Sequence, residues 1–162
     1  MAGREGVSFF WFFQAQAVLL ALLSIPCLLI NADPRVRLGV TDFLAAALWI
    51  VAIAGESLAD RQLAAFKADP ERRGKVCDAG LWRLSRHPNY FFEWLIWVAL
   101  FVMALPAPWG VLTVFAPALM LFLLLKVTGI PYTEQQAVRS KGEAYLRYQQ
   151  TTPAFFPWFP KQ

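Results

Sequence analysis

The chain has a single histidine, His87, and only two cysteines in 162 residues. A His-rich metal centre therefore has no ligands to draw on within one chain, and neither cysteine has a Cys or His neighbour at metal-ligand spacing. No metal site is expected. Cys27 lies in an apolar run and Cys77 in a basic loop, which argues against a disulfide between them. Charge is scarce as well: charged residues make up 16% and hydrophobic ones 58% of the chain, far from the soluble balance. There is no G-x-G-x-x-G following a strand, no P-loop and no G-x-S-x-G. Any nucleotide must then be held by helices rather than by a Rossmann sheet. The net charge of +4 comes from lysines and arginines that flank apolar runs, with no nucleic-acid motif among them. Nucleic acid is not an expected partner; membrane lipids are.

What is present is a series of long apolar runs, with a mean hydropathy of +0.46. The pattern predicts a single all-α membrane domain over residues 1–162. Spans are expected at about 9–30, 42–62, 88–105 and 110–126, followed by an interfacial helix at about 132–150. The first run is preceded by no small-residue cleavage site, and at about 1.5 Å per residue it crosses a hydrocarbon core of about 30 Å. Phe and Trp at positions 9–13 suit an interfacial belt, and the Pro, Phe and Trp of 152–162 suit the headgroup level. Thr41 or Asp42 is placed to cap the second helix. Residues 61–87 and 126–162 are strongly basic, whereas 104–110 carries no charge. The positive-inside rule then puts both termini and the 61–87 loop in the cytoplasm, with Arg35 and Arg37 running against it and Asp33 partly offsetting them.

The chemistry gathers in Leu81–Trp97, LWRLSRHPNYFFEWLIW, where a basic stretch runs straight into an apolar helix. Pro88 suits the first helical position, since its missing N–H would be unpaired there anyway. Asn89 and Glu93 then share a face. A carboxylate one turn inside an apolar segment is costly unless paired or facing a wet cavity, which makes Glu93 a functional candidate; a salt bridge to a neighbouring segment is the competing explanation. Arg86 and His87 read equally as phosphate ligands or as anchors to anionic lipid, and Arg83 as such an anchor. Glu56 and Asp60 either close a polar pocket or form a solvated helix end. Glu134, near a helix start, is explained by the helix dipole or by a ligand. Tyr145 and Tyr148 read as interfacial packing.

Taken together, GLWRLSRHPNYFFEWLIW, GIPYTEQQ and KGEAYLRYQQTTPAFFPW resemble the C-terminal domain of the steroid 5-alpha-reductase-like family, in its bacterial branch of uncharacterised membrane proteins. The wider superfamily includes sterol reductases and isoprenylcysteine carboxyl methyltransferases. The resemblance spans about residues 9–160, and R-H-P-N-Y-x-x-E is more specific for the fold than for the reaction. It implies a helical membrane domain with a cytoplasm-facing cofactor cavity. In the reductase branch the cofactor is NADPH, used to reduce a carbon–carbon double bond of a steroid-like or lipid substrate. Asn89 and Tyr90 would contact it, Arg86 and His87 would lie beside it, Glu93 would join the same polar network, and Arg61, in S-L-A-D-R-Q-L, would assist. Tyr90 and Glu93 stand as the candidate catalytic groups. In the methyltransferase branch, His87 to Tyr90 would line an S-adenosylmethionine site, with Glu134 as its acidic residue. Two departures stand out. Phe92 replaces a glycine usual in relatives, which narrows the cavity. The chain also starts after the N-terminal helices that carry the reductases' substrate-side Glu and Tyr, so a shortened, non-catalytic ligand-binding protein is the third expectation.

Overall fold

The computed structural model describes residues 2–161, and among them there is helix but no strand. Two long helices come first, α1 (Ala2–Asn31) and α2 (Val40–Ala68). A basic loop with a 3-10 turn at Pro70–Arg72 leads to a single helical turn, α3 (Leu81–Leu84), and then to α4 (Pro88–Ala104). The next apolar run is a 3-10 segment at Gly110–Val114, α5 (Phe115–Phe122) and a π-helical turn at Leu123–Val127. Two polar helices, α6 (Ile130–Lys141) and α7 (Glu143–Thr151), close the chain.

Three helical stretches are long and apolar enough to cross a membrane: Phe9–Asn31, Val40–Ala68 and Gly110–Lys141, the last apolar only as far as Val127. Their outward faces are strongly apolar; Phe9, Trp11 and Leu20 of α1 and Phe43 and Ile50 of α2 are all more than half exposed. Such faces need lipid, and the chain is an integral membrane protein. Four spans were expected. The remaining one, α4, has 17 residues, about 25 Å of helix, and falls short of a full hydrocarbon core.

Short as it is, α4 is the hub, packing chiefly on α2 and also on α1 and α5. Alanines let it approach closely. Ala45, Ala52 and Ala59 recur at seven-residue spacing on α2 and are fully buried, as Ala99 and Ala104 nearly are on α4. Small residues at such spacing allow membrane helices to come together when apolar transfer gives no driving force between them. Gly55 lies within this seam, and a methyl group there would collide with the Phe92 ring. The bulk of Phe92, expected to narrow the cavity, is thus accommodated by the missing side chain at Gly55.

Helix ends follow local chemistry. Pro88 opens α4 as its spacing predicts, with His87 as the N-cap residue. Asp42 caps α2 by accepting from the Gly39 N–H at 2.7 Å. The uncharged turn after α4 closes through Trp109 at a left-handed φ of 63°. The π turn is marked by Thr128 N–H donating five residues back to the Leu123 carbonyl at 2.9 Å. The interfacial helix expected over 132–150 is instead two helices. Gly142, at a φ of 57°, stops α6 and donates its N–H to the Val138 carbonyl. The tail, expected at the headgroup level, packs into the core: Phe155 is buried with Leu124 and Ile130, and Phe91 and Trp94 meet it edge-on at 5.8 and 6.0 Å.

Gly55→Ala is expected to destabilise the protein by about 1–3 kcal/mol, the usual scale of overpacking. Adding Phe92→Ala should recover part of that loss. Melting of the detergent-purified variants measures both; an additive loss in the double variant would show that the two positions do not meet.

Candidate functional site

The site grows from three residues that link α3 to α4. Ser85 is fully buried, donates its hydroxyl to the Phe155 carbonyl at 2.9 Å and accepts from the His87 N–H at 3.2 Å. Arg86 N–H donates to the Pro153 carbonyl at 2.9 Å. The Arg86 side chain then reaches two other helices. Its Nε donates to Glu134 Oε1 of α6 at 2.6 Å, and its Nη1 donates to the carbonyls of Gln149 and Thr152 at 2.8 and 2.5 Å. Gln149 Nε2 donates to the other carboxylate oxygen of Glu134 at 2.9 Å. His87 Nε2 lies 3.3 Å from Glu134 Oε1 and stacks its ring on Tyr90, with centroids 5.3 Å apart and planes 5° from parallel. A carboxylate only accepts, so this contact selects the form with a proton on Nε2.

Burial raises the Glu134 carboxyl, but the hydrogen bonds from His87 and Arg86 outweigh it and hold the group down at about 2. Glu134 was expected either at a favourable dipole position or on a ligand. Both of its oxygens are instead taken up inside the protein, and it lines none of the described cavities. It positions Arg86 and His87.

Beside this cluster is a cavity of about 320 Å³ between the end of α2, the basic loop, the start of α4 and the faces of α6 and α7. Arg86, His87, Asn89 and Tyr90, all singled out from the sequence, come together in its wall. Asn89 Oδ1 is buried with no hydrogen-bond partner among the described residues. An unmet buried acceptor costs about 1–3 kcal/mol.

Two expected site residues are elsewhere. Arg61 is exposed and lines none of the described cavities. Glu93 is half-buried toward α2, within range of the charges of Glu56 and Asp60, and is also outside the cavity wall. No salt bridge from Glu93 to an arginine or lysine occurs among the described residues.

Five further residues complete the wall: Lys67, Cys77 and Lys141, which the sequence does not single out as site residues, and Tyr145 and Tyr148, which it reads as interfacial packing. Lys67 and Lys141 end their helices, where a cation suits the dipole, and nothing local indicates that they converge. Burial lowers the Lys141 ammonium, and the Lys67 charge lowers it further. Neither lysine has a carboxylate partner among the described residues. Burial raises the Cys77 thiol, so it stays protonated and is a poor nucleophile. Burial, with the Glu134 charge, pushes the Tyr145 hydroxyl up to about 12. Tyr148 is pushed up as well, chiefly by burial, and donates to the Trp82 carbonyl. Both tyrosines are buried and form part of the cavity wall.

Replacing Glu134 with Gln should lower stability near neutral pH by about 2 kcal/mol, since the buried charge-assisted bond from Arg86 weakens and the contact with His87 loses its carboxylate. The sign of the pH dependence follows from the depressed carboxyl. Its contribution is complete above the ordinary carboxylate range and is lost as pH falls from about 4.5 toward about 2. Melting curves across that range should show the gap between wild type and Glu134→Gln closing on acidification. A gap that is constant with pH would show that the charge of Glu134 contributes nothing.

No curated protein and no solved structure matches the chain. Residues 2–152 match the family described as "Protein of unknown function (DUF1295)", and the chain belongs to that family.

Proposed function

We propose that the chain is a membrane oxidoreductase that binds NADPH in the cavity at the start of α4 and reduces a carbon–carbon double bond in a steroid-like or lipid substrate. The observation that carries this reading is the electrostatic imbalance of the wall. Lys67 and Lys141 face one cavity without a carboxylate partner among the described residues, and Asn89 Oδ1 lacks a donor there. Phosphates supply the anion and a carboxamide or amino group supplies the donor, so these residues fit a nucleotide. The resemblance of R-H-P-N-Y-x-x-E to the steroid 5-alpha-reductase-like family supports the same cofactor.

Bound NADPH supplies the hydride, and the protein supplies binding, orientation and electrostatics. Lys67 and Lys141 neutralise phosphate, and Asn89 accepts from the cofactor's amide or amino group. His87, fixed by Glu134 and stacked on Tyr90, forms a rigid wall. Tyr90 is the hydroxyl beside the cofactor suited to protonate the reduced carbon. Glu93, outside the wall, acts at most through the α2–α4 seam. Both termini and the 61–87 loop are cytoplasmic in this reading. Arg35, one of the two cations that run against this orientation, pairs with Asp33 at 2.6 Å and Asp42 at 3.2 Å.

A second reading, a methyltransferase using S-adenosylmethionine, is favoured by one quantity. At about 320 Å³ the cavity is near the lower end of the range for ligand pockets, about 300–1,000 Å³, and suits a mononucleoside. Charge opposes it. The sulfonium and amino groups are cationic, Lys67 and Lys141 repel them, and Glu134 is already occupied.

Thermal stabilisation of the detergent-purified protein separates the two, because a ligand that binds only the folded state raises its melting temperature by mass action. NADPH should raise it. Asn89→Ala should weaken the apparent affinity about tenfold, the loss of one buried hydrogen bond. Lys141→Gln should weaken it further while leaving the unliganded protein as stable or more so. Stabilisation by S-adenosylmethionine and not by NADPH would end the reductase reading.

A further inference from the structure

A second, larger cavity of about 740 Å³ opens between the basic loop and α7, sharing Val76 and Tyr148 with the first as a common wall. Four cations line it, Arg72, Lys75, Arg83 and Arg147, against one carboxylate, Asp78. Arg72 is committed elsewhere: it pairs with Asp69 at 2.9 Å and lies 5.2 Å above the Phe66 ring. Lys75, Arg83 and Arg147 have no carboxylate within ion-pair distance among the described residues. Three unpaired cations around one opening repel one another until an anion enters.

The surroundings indicate where that anion comes from. Pro160 forms part of the rim, and its neighbours Trp158 and Phe159 are 73% and 77% exposed. They do not hang free. Trp158 N–H donates to the Leu84 carbonyl at 2.9 Å and Lys161 N–H to the Thr151 carbonyl at 2.8 Å, which holds the aromatic pair beside the cavity. Exposed aromatics on a membrane protein mark the headgroup layer, and a basic pocket at that level meets lipid phosphates.

We propose that this cavity binds the phosphate headgroup of an anionic phospholipid between Lys75, Arg83 and Arg147, with Trp158 and Phe159 set in the headgroup layer alongside. The site stands apart from the cofactor reading and survives if that reading fails.

The test titrates dioleoyl phosphatidylglycerol or dioleoyl phosphatidylcholine into the detergent-purified full chain. Lipid retention is followed by native mass spectrometry and stability by melting. Phosphatidylglycerol should be retained and should stabilise; phosphatidylcholine should do neither. The double variant Arg83→Gln, Arg147→Gln should bind phosphatidylglycerol about thirtyfold more weakly, from the usual contribution of each surface cation. Arg83→Lys with Arg147→Lys should keep most of the affinity. Should the glutamine pair not fold, Lys75→Gln in the exposed loop should weaken binding about fivefold by the same measure. Equal retention of the two lipids overturns the proposal. So does equal stabilisation by inorganic phosphate at the same phosphate concentration, which would mark a free-anion site. Loss of stabilisation by NADPH in the glutamine pair, with phosphatidylglycerol binding unchanged, would also overturn it and assign the cations to the nucleotide.

Discussion

Everything on the polar side of this protein depends on one guanidinium. Arg86 has five N–H donors, and three of its bonds run to Glu134, to the Gln149 carbonyl and to the Thr152 carbonyl. Its own backbone is bound to Pro153. One residue therefore joins the start of α4, the middle of α6, the end of α7 and the first turn of the tail. Neither α6 nor α7 has an apolar face broad enough to hold it to a bundle alone; each has a single strongly buried patch, Ile130 in α6 and Tyr145 with Tyr148 in α7. The cluster of Phe155, Leu124 and Ile130 supplies the apolar part of the attachment, and the Arg86–Glu134 pair supplies its direction.

That pairing also decides the charge of the cavity. Glu134 is the carboxylate nearest to hand for a positive ligand group, and Arg86, His87 and Gln149 occupy it from three sides. The remaining charges facing inward are Lys67 and Lys141, so the cavity is positive by default. Arg86 and His87, which the sequence leaves open between phosphate ligands and lipid anchors, are held in the wall by Glu134. The Arg86 charge is balanced by Glu134 within the protein, so what these two residues bring to the cavity is a fixed geometry.

Much of this was legible in the residues. The apolar runs predict α1, α2 and the stretch from Gly110, but polar residues extend α1 back to Ala2 from the expected 9 and α2 on to Ala68 from the expected 62; Pro88 marks the first residue of α4. Asn89 and Tyr90 reach the cavity because they occupy the first turn of that helix, which is local information. What was not legible is what depends on distant pairing. Arg86 and Glu134 are 48 residues apart, and no periodicity connects them. Lys67 and Lys141 meet only once α6 has folded back over the loop. Gly142 is a break signal between α6 and α7, but Ala137, Lys141, Ala144, Tyr145 and Tyr148 keep a helical period across it and mask the stop. Arg61 is the converse case. A motif fragment suggested a contact, while the helical face on which the residue falls turns it outward.

The shortness of α4 ties these features together. At about 25 Å it lacks about 5 Å of a typical hydrocarbon core, so a helix centred in the bilayer would leave polar groups at its ends below the headgroups. At one end the turn from Leu105 to Trp109 carries no charge and tolerates that position. At the other, His87 and Asn89 would be stranded without cover, and unsatisfied polar groups at such depth are expensive. The basic loop, α6, α7 and the tail form that cover. Tying the cover down through Arg86 leaves a hollow between it and the apolar bundle, with water-accessible cations on one side and α4 on the other.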